Sequence, residues 1–131
     1  MGTGLQLQYW KIQGLKEALD DPNSNVATIY QLNYAEKMAR LAANLKGGKA
    51  IFTEPAMPIK CAGAPQKILY LWSDQWSQKK LPVEVEFYKT IGVMFGVPKY
   101  SQALTNVAAS YNINTTFKHP LIKIDHNEAT F

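Results

Sequence analysis

The chain has 131 residues, of which 47% are apolar and 18% charged, so intrinsic disorder is excluded as its main state. That length suits one compact domain or a piece of a larger protein. Its 14 Lys and Arg residues exceed its 10 Asp and Glu residues, for a net charge of +4, but the cations are scattered and no nucleic-acid surface is predicted. Its longest apolar run, residues 91–97, is too short to span a bilayer. A single cysteine and two histidines exclude an intrachain disulfide and predict no metal site.

The amino-terminal third of the chain is predicted to hold one helix. Residues 2–25 are rich in turn-forming residues and carry only a short apolar patch at Leu15 and Leu19, so we expect an irregular leader there. A helix is predicted from Asn33, as its N-cap with Glu36 completing a capping box, to the stop signal Gly47-Gly48. Its apolar residues recur every three or four positions, as an amphipathic helix requires: Ala35, Met38, Ala39, Ala42 and Leu45.

After Gly48 the pattern alternates between strands and helices. Strands are predicted at residues 50–53, 83–87 and 113–117, with helices at 65–81 and 99–111 between them. This order predicts an α/β fold, a Rossmann-like three-layer unit with parallel strands. Shorter strands are predicted at residues 121–125 and 129–131. The residues expected to face the core from the two helices are Ile68, Leu69, Leu71, Trp72 and Trp76, followed by Leu104, Val107, Ala108 and Tyr111.

A nicotinamide dinucleotide is a poor fit to this α/β unit. Binding the pyrophosphate requires several glycines after the first strand, and binding the ribose requires an acidic residue at the end of the second strand. The first crossover carries only Gly63, and the second strand ends in Tyr88-Lys89-Thr90. Glu84 and Glu86 alternate with apolar residues and are assigned to the solvent face of the strand.

The lone cysteine lies in a loop stiffened by prolines, just before a predicted helix. Cys61 stands between Lys60 and Lys67, and the two cations together with the helix N-terminus favour the nucleophilic thiolate. Gly63 leaves room for a planar ring or a second sulfur to approach. The alternative is a small buried hydrophobic residue, and the residues alone leave both interpretations open. A Cys-His hydrolase is disfavoured because His119 and His126 both fall in predicted turns.

The cysteine loop carries a resemblance to a known family. Residues 48–67, GKAIFTEPAMPIKCAGAPQK, closely resemble the cysteine segment of mitochondrial-type sulfide:quinone oxidoreductases. Residues 92–100 and 5–15 also look like that family, so the resemblance covers nearly the whole chain. CAGAPQK is its most specific motif, because other types of pyridine-nucleotide disulfide oxidoreductase lack it.

The resemblance implies a piece of an FAD-dependent flavoprotein with two Rossmann-like domains. Residues 1–48 would be the end of the first segment of the FAD domain and a connecting helix. Residues 49–131 would be the second Rossmann-like unit, with the cysteine loop and the terminal strands. Cys61 matches the first of the family's two redox cysteines. The residues implied to contact the cofactor are Gly63, Ala64 and Pro65, through their backbone at the flavin edge, and Lys67, which with Lys60 would stabilise sulfur anions.

The implied reaction is attack of sulfide on a cysteine–cysteine bridge, which leaves a persulfide and a thiolate whose electrons pass through FAD to quinone. A small thiol or sulfite would then accept the sulfane sulfur. The family resemblance places the protein at the mitochondrial inner membrane, with membrane contact made by parts outside this chain, and predicts that the chain alone is inactive. Two alternatives stay open: an NAD(P)H-dependent flavin disulfide reductase and a non-catalytic α/β interaction module.

Overall fold

A computed structural model describes residues 2–131. In chain order, the elements are a 3₁₀ turn at Tyr9–Lys11, helices α1 (Leu15–Asp20) and α2 (Leu32–Asn44), strand β1 (Gly48–Glu54), helix α3 (Ala64–Gln78), strand β2 (Val83–Lys89), helix α4 (Pro98–Ser110), and strands β3 (Asn114–Phe117), β4 (Lys123–Asp125) and β5 (Glu128–Thr130). They form two compact units: residues 2–43 with 121–131, and residues 44–120.

The larger unit, residues 44–120, is built on a parallel sheet with strand order β1–β2–β3. Helices α3 and α4 are the crossovers between successive strands. The Tyr70 hydroxyl donates to the backbone carbonyl of Leu104 at 2.9 Å, which joins the two helices side by side on one face of the sheet. Burial raises the pKa of Tyr70 to about 12. The parallel α/β fold predicted from the sequence is confirmed, and within residues 44–120 the two helices form one layer beside the sheet.

Alternation along β2 sorts its side chains between the two faces of the sheet. Val85, Phe87 and Lys89 are buried, whereas Glu84 is exposed and Glu86 is half-buried. The assignment of the glutamates to the more solvated face is therefore confirmed. On the helix-covered face, the rings of Phe52 and Trp76 lie 6.3 Å apart.

Two residues expected in the core lie on the surface. Leu71 is 58% exposed and Val107 is 37% exposed. The inward side of α3 is formed by Leu69, Ser73 and Trp76, and Leu71 is two positions, or about 200°, around the helix from Leu69. In α4 the buried residue is Ala108, so Val107 is turned about 100° away from it.

The smaller unit, residues 2–43 with 121–131, is more ordered than the sequence predicted. The expectation of an irregular leader was wrong at α1, which buries Ala18 and Leu19. Gly14 precedes this helix with φ = 74°, and an added Cβ there would stand 2.1 Å from the Ile124 carbonyl oxygen. Only glycine allows that close approach, which explains how so short a helix is held against β4.

Helix α2 begins at Leu32, so Asn33 lies inside its first turn and its predicted role as the N-cap was wrong. The carbonyl of Gln31 accepts hydrogen bonds from the N–H groups of Tyr34 and Ala35, so the first turn forms ahead of Asn33. Lys37 of α2 is buried, and its Nζ donates to the carbonyls of Ala18 and Asp21 at 3.0 and 2.6 Å. The lysine therefore satisfies backbone acceptors at the end of α1.

Candidate functional site

The cysteine loop, residues 55–63, leaves the carboxyl end of β1 and leads into α3. The side chain of Cys61 is exposed in this loop. A turn follows it, in which the N–H of Ala64 donates to the Cys61 carbonyl at 3.3 Å. Ligands of parallel α/β sheets bind at the carboxyl ends of the strands, so the thiol lies at the edge of the sheet where a ligand is expected.

The residues predicted to contact a flavin surround the start of α3. Gly63 is the N-cap of the helix, and its carbonyl accepts the N–H of Lys67 at 3.0 Å. Gly63 and Ala64 are half-buried, Pro65 is buried, and Lys67 is exposed. An added Cβ at Gly63 would meet nothing within 4 Å, so the backbone is open to a planar ring on that side. The sequence lacks the glycine-rich phosphate motif, so these residues fit one edge of a dinucleotide and not its phosphates.

A buried ion pair lies at the end of β1 where the cysteine loop begins. Lys89 is fully buried, and its Nζ donates to the carboxylate of Glu54, which is 5% exposed. The Lys89 ammonium also lies 4.8 Å from the centre of the Phe87 ring. Desolvation lowers the pKa of Lys89, and the carboxylate of Glu54 opposes that shift.

This pair was not predicted, although the sequence carries a signal for it. Glu54 follows Ala50 and Phe52 in the alternation of β1, and Lys89 follows Val85 and Phe87 in that of β2. Both charges therefore fall at inward positions. The parallel register places the two residues directly opposite each other.

A second buried contact fixes the other end of the cysteine loop. Gln66, in the first turn of α3, is 2% exposed, and its Nε2 donates to the carbonyl of Met94 at 2.8 Å. Thr90 Oγ1 donates to the backbone carbonyl of Glu54 at 2.9 Å. Both ends of the loop are thus held by one stretch of chain, residues 89–94, which we call the β2–α4 segment.

Residues 2–131 hold neither a cluster of metal-binding side chains nor a membrane-spanning helix. No group of three or more His, Cys, Asp and Glu side chains is placed to hold a metal ion. No helix in this part of the chain is long and apolar enough to cross a membrane. The two histidines are exposed, as expected of residues in turns.

The fold and the loop together define a class of protein unit: a Rossmann-like unit with a cysteine in its first crossover. Residues 44–120 form a Rossmann-like α/β unit whose first crossover presents a cysteine at the ligand-binding edge of a parallel sheet. Its first crossover has a single glycine, and its second strand ends in a lysine engaged by Glu54, where a nicotinamide-binding unit has an acid.

Comparison with known proteins identifies the relatives of this unit. The chain is 39% identical over 132 residues to the mitochondrial sulfide:quinone oxidoreductase of Schizosaccharomyces pombe, covering 98% of this chain and 29% of that protein. It is 37% identical over 135 residues to the mouse protein of the same name, covering 100% of this chain and 30% of the mouse protein. The resemblance found in the sequence is confirmed: the whole chain is similar to a segment of mitochondrial sulfide:quinone oxidoreductases, and it spans less than a third of their length.

A solved structure shows the same fold. The sulfide:quinone oxidoreductase of the hyperthermophilic bacterium Aquifex aeolicus matches 97% of this chain and 30% of its own chain with a TM-score of 0.72 and 19% identity. No family model matches the chain.

Proposed function

We propose that this chain is the cysteine-bearing segment of a mitochondrial sulfide:quinone oxidoreductase, in which Cys61 is one of two redox cysteines. The observation that carries the proposal is the exposed thiol of the CAGAPQK loop at the carboxyl edge of a parallel sheet. The similarity of the whole chain to proteins of that name supports it. Residues 1–48 would then belong to the FAD domain and its connecting helix, and residues 49–131 to the second Rossmann-like unit.

The proposed chemistry begins with a disulfide between Cys61 and a second cysteine outside this chain. Hydrosulfide attacks one sulfur of that bridge, a new S–S bond forms to the attacked sulfur, and the bridge breaks. The displaced cysteine leaves as a thiolate, and the attacked cysteine holds a persulfide. A small thiol or sulfite then takes the sulfane sulfur, and the attacked cysteine is released as a second thiolate. Closing the bridge between the two thiolates gives up an electron pair, for which FAD, when bound, supplies the acceptor on its way to quinone.

In those reaction steps, this chain's own residues position the reacting groups and supply positive charge. The open backbone at Gly63 leaves space for the flavin edge beside the thiol loop. Lys67 is exposed in the first turn of α3, and Lys60 is exposed next to Cys61. In the proposed site, these two cations stabilise the thiolate and persulfide anions. Quinone, and contact with the inner membrane, would be handled by parts of the protein outside this chain.

The alternative electron donor is a reduced nicotinamide. The end of β2 argues against it, because Lys89 occupies the position where a ribose-binding acid is needed and is itself paired with Glu54. The carboxylate of Glu54 beside it is thus engaged within the fold. Quinone as the electron acceptor fits this arrangement better.

The test compares the full natural chain that contains these residues with its Cys61→Ser variant. Flavin absorbance is followed on addition of sulfide with a short-chain ubiquinone present. We expect the variant to lose sulfide-dependent flavin and quinone reduction, by about 10³-fold or more, because the nucleophile of the covalent step is gone. Met57→Ser is the matched control, since Met57 is an exposed residue of the same loop.

Three results would overturn the proposal. Flavin reduction by NADH or NADPH instead of sulfide would identify the reductase alternative. Unchanged sulfide oxidation in the Cys61→Ser variant would remove the thiol from the reaction. A chain that binds no flavin and oxidises no sulfide would support the interaction module.

A further inference from the structure

We infer that the β2–α4 segment positions Cys61, with Lys89, Glu54 and Gln66 as positioning residues. The two ends of the cysteine loop are tied to this one segment by buried polar contacts. The inference concerns where the thiol is held, and only its kinetic consequence rests on the proposed function.

The loop itself has little packing to hold it in place. Its residues 55–58 are all exposed, and so are Lys60 and Cys61. A segment with few buried apolar contacts opens at low free-energy cost unless its ends are fixed. The anchors on either side are therefore expected to contribute to the position of the thiol.

The first anchor consists of two contacts to Glu54, one to its carboxylate and one to its backbone carbonyl. Lys89 binds the carboxylate of Glu54, and Thr90 Oγ1 binds the Glu54 carbonyl at 2.9 Å. Glu54 immediately precedes Pro55, so both contacts act on the residue at which the loop begins. Without Lys89, the Glu54 carboxylate would be a buried charge with no ammonium to balance it, and it would have to move toward water.

The second anchor acts five residues after Cys61. Gln66 donates to the Met94 carbonyl at 2.8 Å, and both residues are at most 3% exposed. Met94 lies in the stretch between β2 and α4 that carries Gly92 and Gly96. A hydrogen bond between two buried groups is expensive to leave unmade, so it fixes the first turn of α3 relative to the β2–α4 segment.

The experiment measures local opening by backbone hydrogen exchange in the full natural chain. Lys89→Met removes the ion pair of the first anchor, and Gln66→Met removes the side-chain hydrogen bond of the second. Lys49→Met and Gln78→Met are the matched controls: Lys49 pairs with Glu86 between the same two strands at an exposed position, and Gln78 lies at the exposed end of the same helix. We expect exchange of the amides of residues 59–64 to accelerate about tenfold in each anchor variant. Neither control should change it.

The kinetic readout separates positioning from general stability. In the anchor variants, the maximal rate of sulfide-dependent flavin reduction should fall about tenfold or more with little change in the sulfide concentration at half-maximum, because a displaced thiol slows the step without removing a binding group. Faster exchange spread evenly over residues 44–120, or an unchanged loop, would refute the inference. If Lys89→Met does not fold, the Gln66→Met variant tests the positioning role by itself. If loop exchange changes as expected but the Cys61→Ser variant still oxidises sulfide, the positioning role is supported and the proposed function is refuted.

Discussion

Each of the two compact units buries one lysine, and the two lysines are satisfied in different ways. Lys37, in the unit of residues 2–43 and 121–131, donates to the carbonyls of Ala18, Leu19 and Asp21 and to the Ser24 hydroxyl. Lys89, in the unit of residues 44–120, donates to the carboxylate of Glu54. Desolvation is the largest influence on both, and it lowers the pKa of each.

The difference shows what each lysine does for its unit. The last carbonyls of a helix have no partners within it, so Lys37 acts as a cap for α1 and uses neutral acceptors. Lys89 balances an opposite charge at the point where the cysteine loop begins. Removing Lys37 takes a charged donor from the carbonyls of Ala18 and Asp21, which each keep a hydrogen bond from Ser24. Removing Lys89 leaves a full charge unpaired, and this second loss is the larger one.

The largest expected effect is that of Lys89→Met. We expect the free energy of unfolding to fall by about 3–5 kcal/mol, because the variant leaves the Glu54 carboxylate buried without a counter-charge. Urea unfolding followed by tryptophan fluorescence measures it. Lys49→Met is the control, and it should change stability little because its ion pair with Glu86 lies at the surface.

The double variant Glu54→Leu/Lys89→Met tests the cause of that loss. Two apolar side chains of similar size replace both charges, and most of the lost stability should return. A double variant as unstable as Lys89→Met would show that packing of the lysine stem, and not the unpaired charge, accounts for the effect.

A smaller loss is expected for Lys37→Met. The free energy of unfolding should fall by about 2 kcal/mol, because the backbone acceptors at the end of α1 lose a charged donor. Hydrogen exchange should localise the loss to α1. Arg40→Met removes a long hydrogen bond from the same helix to Pro22 and a positive charge near Lys37, and it should leave α1 protected. Equal deprotection of α1 in the two variants would contradict the capping role.

The smallest effect is a pH dependence that Lys37→Met should remove. The pKa of Lys37 is lowered in the folded chain from its ordinary 10.5, so between the two values the unfolded chain binds more protons. Stability then rises with pH in that window. The stability advantage of the wild type over Lys37→Met should therefore grow as pH approaches 10.5 and stay constant below the lowered pKa. Urea midpoints at a series of pH values measure this, and a shrinking advantage would contradict the assignment.

Local patterns in the sequence predicted much of the fold. Period-two alternation and Pro65 in the first turn of α3 predicted the parallel α/β unit, and the CAGAPQK loop located the thiol at its carboxyl edge. The short helix α1 was missed because its stability comes from Lys37 and from the close approach of Gly14 to Ile124, contacts between residues distant in the chain. Leu71 and Val107 show the same limit, since an apolar residue near a core face need not lie on it.

The sequence by itself determined the order of strands and helices, the place of Cys61 and the resemblance to sulfide:quinone oxidoreductases, because each depends on residues that are neighbours along the chain. Only the tertiary structure decided that Glu54 meets Lys89 and that Gln66 meets Met94, since these partners are 35 and 28 residues apart. Strand register brings the first pair together, and the packing of α3 beside the β2–α4 segment brings the second. Burial then makes both contacts strong, because a charge or dipole removed from water has no partner other than the one that the fold supplies.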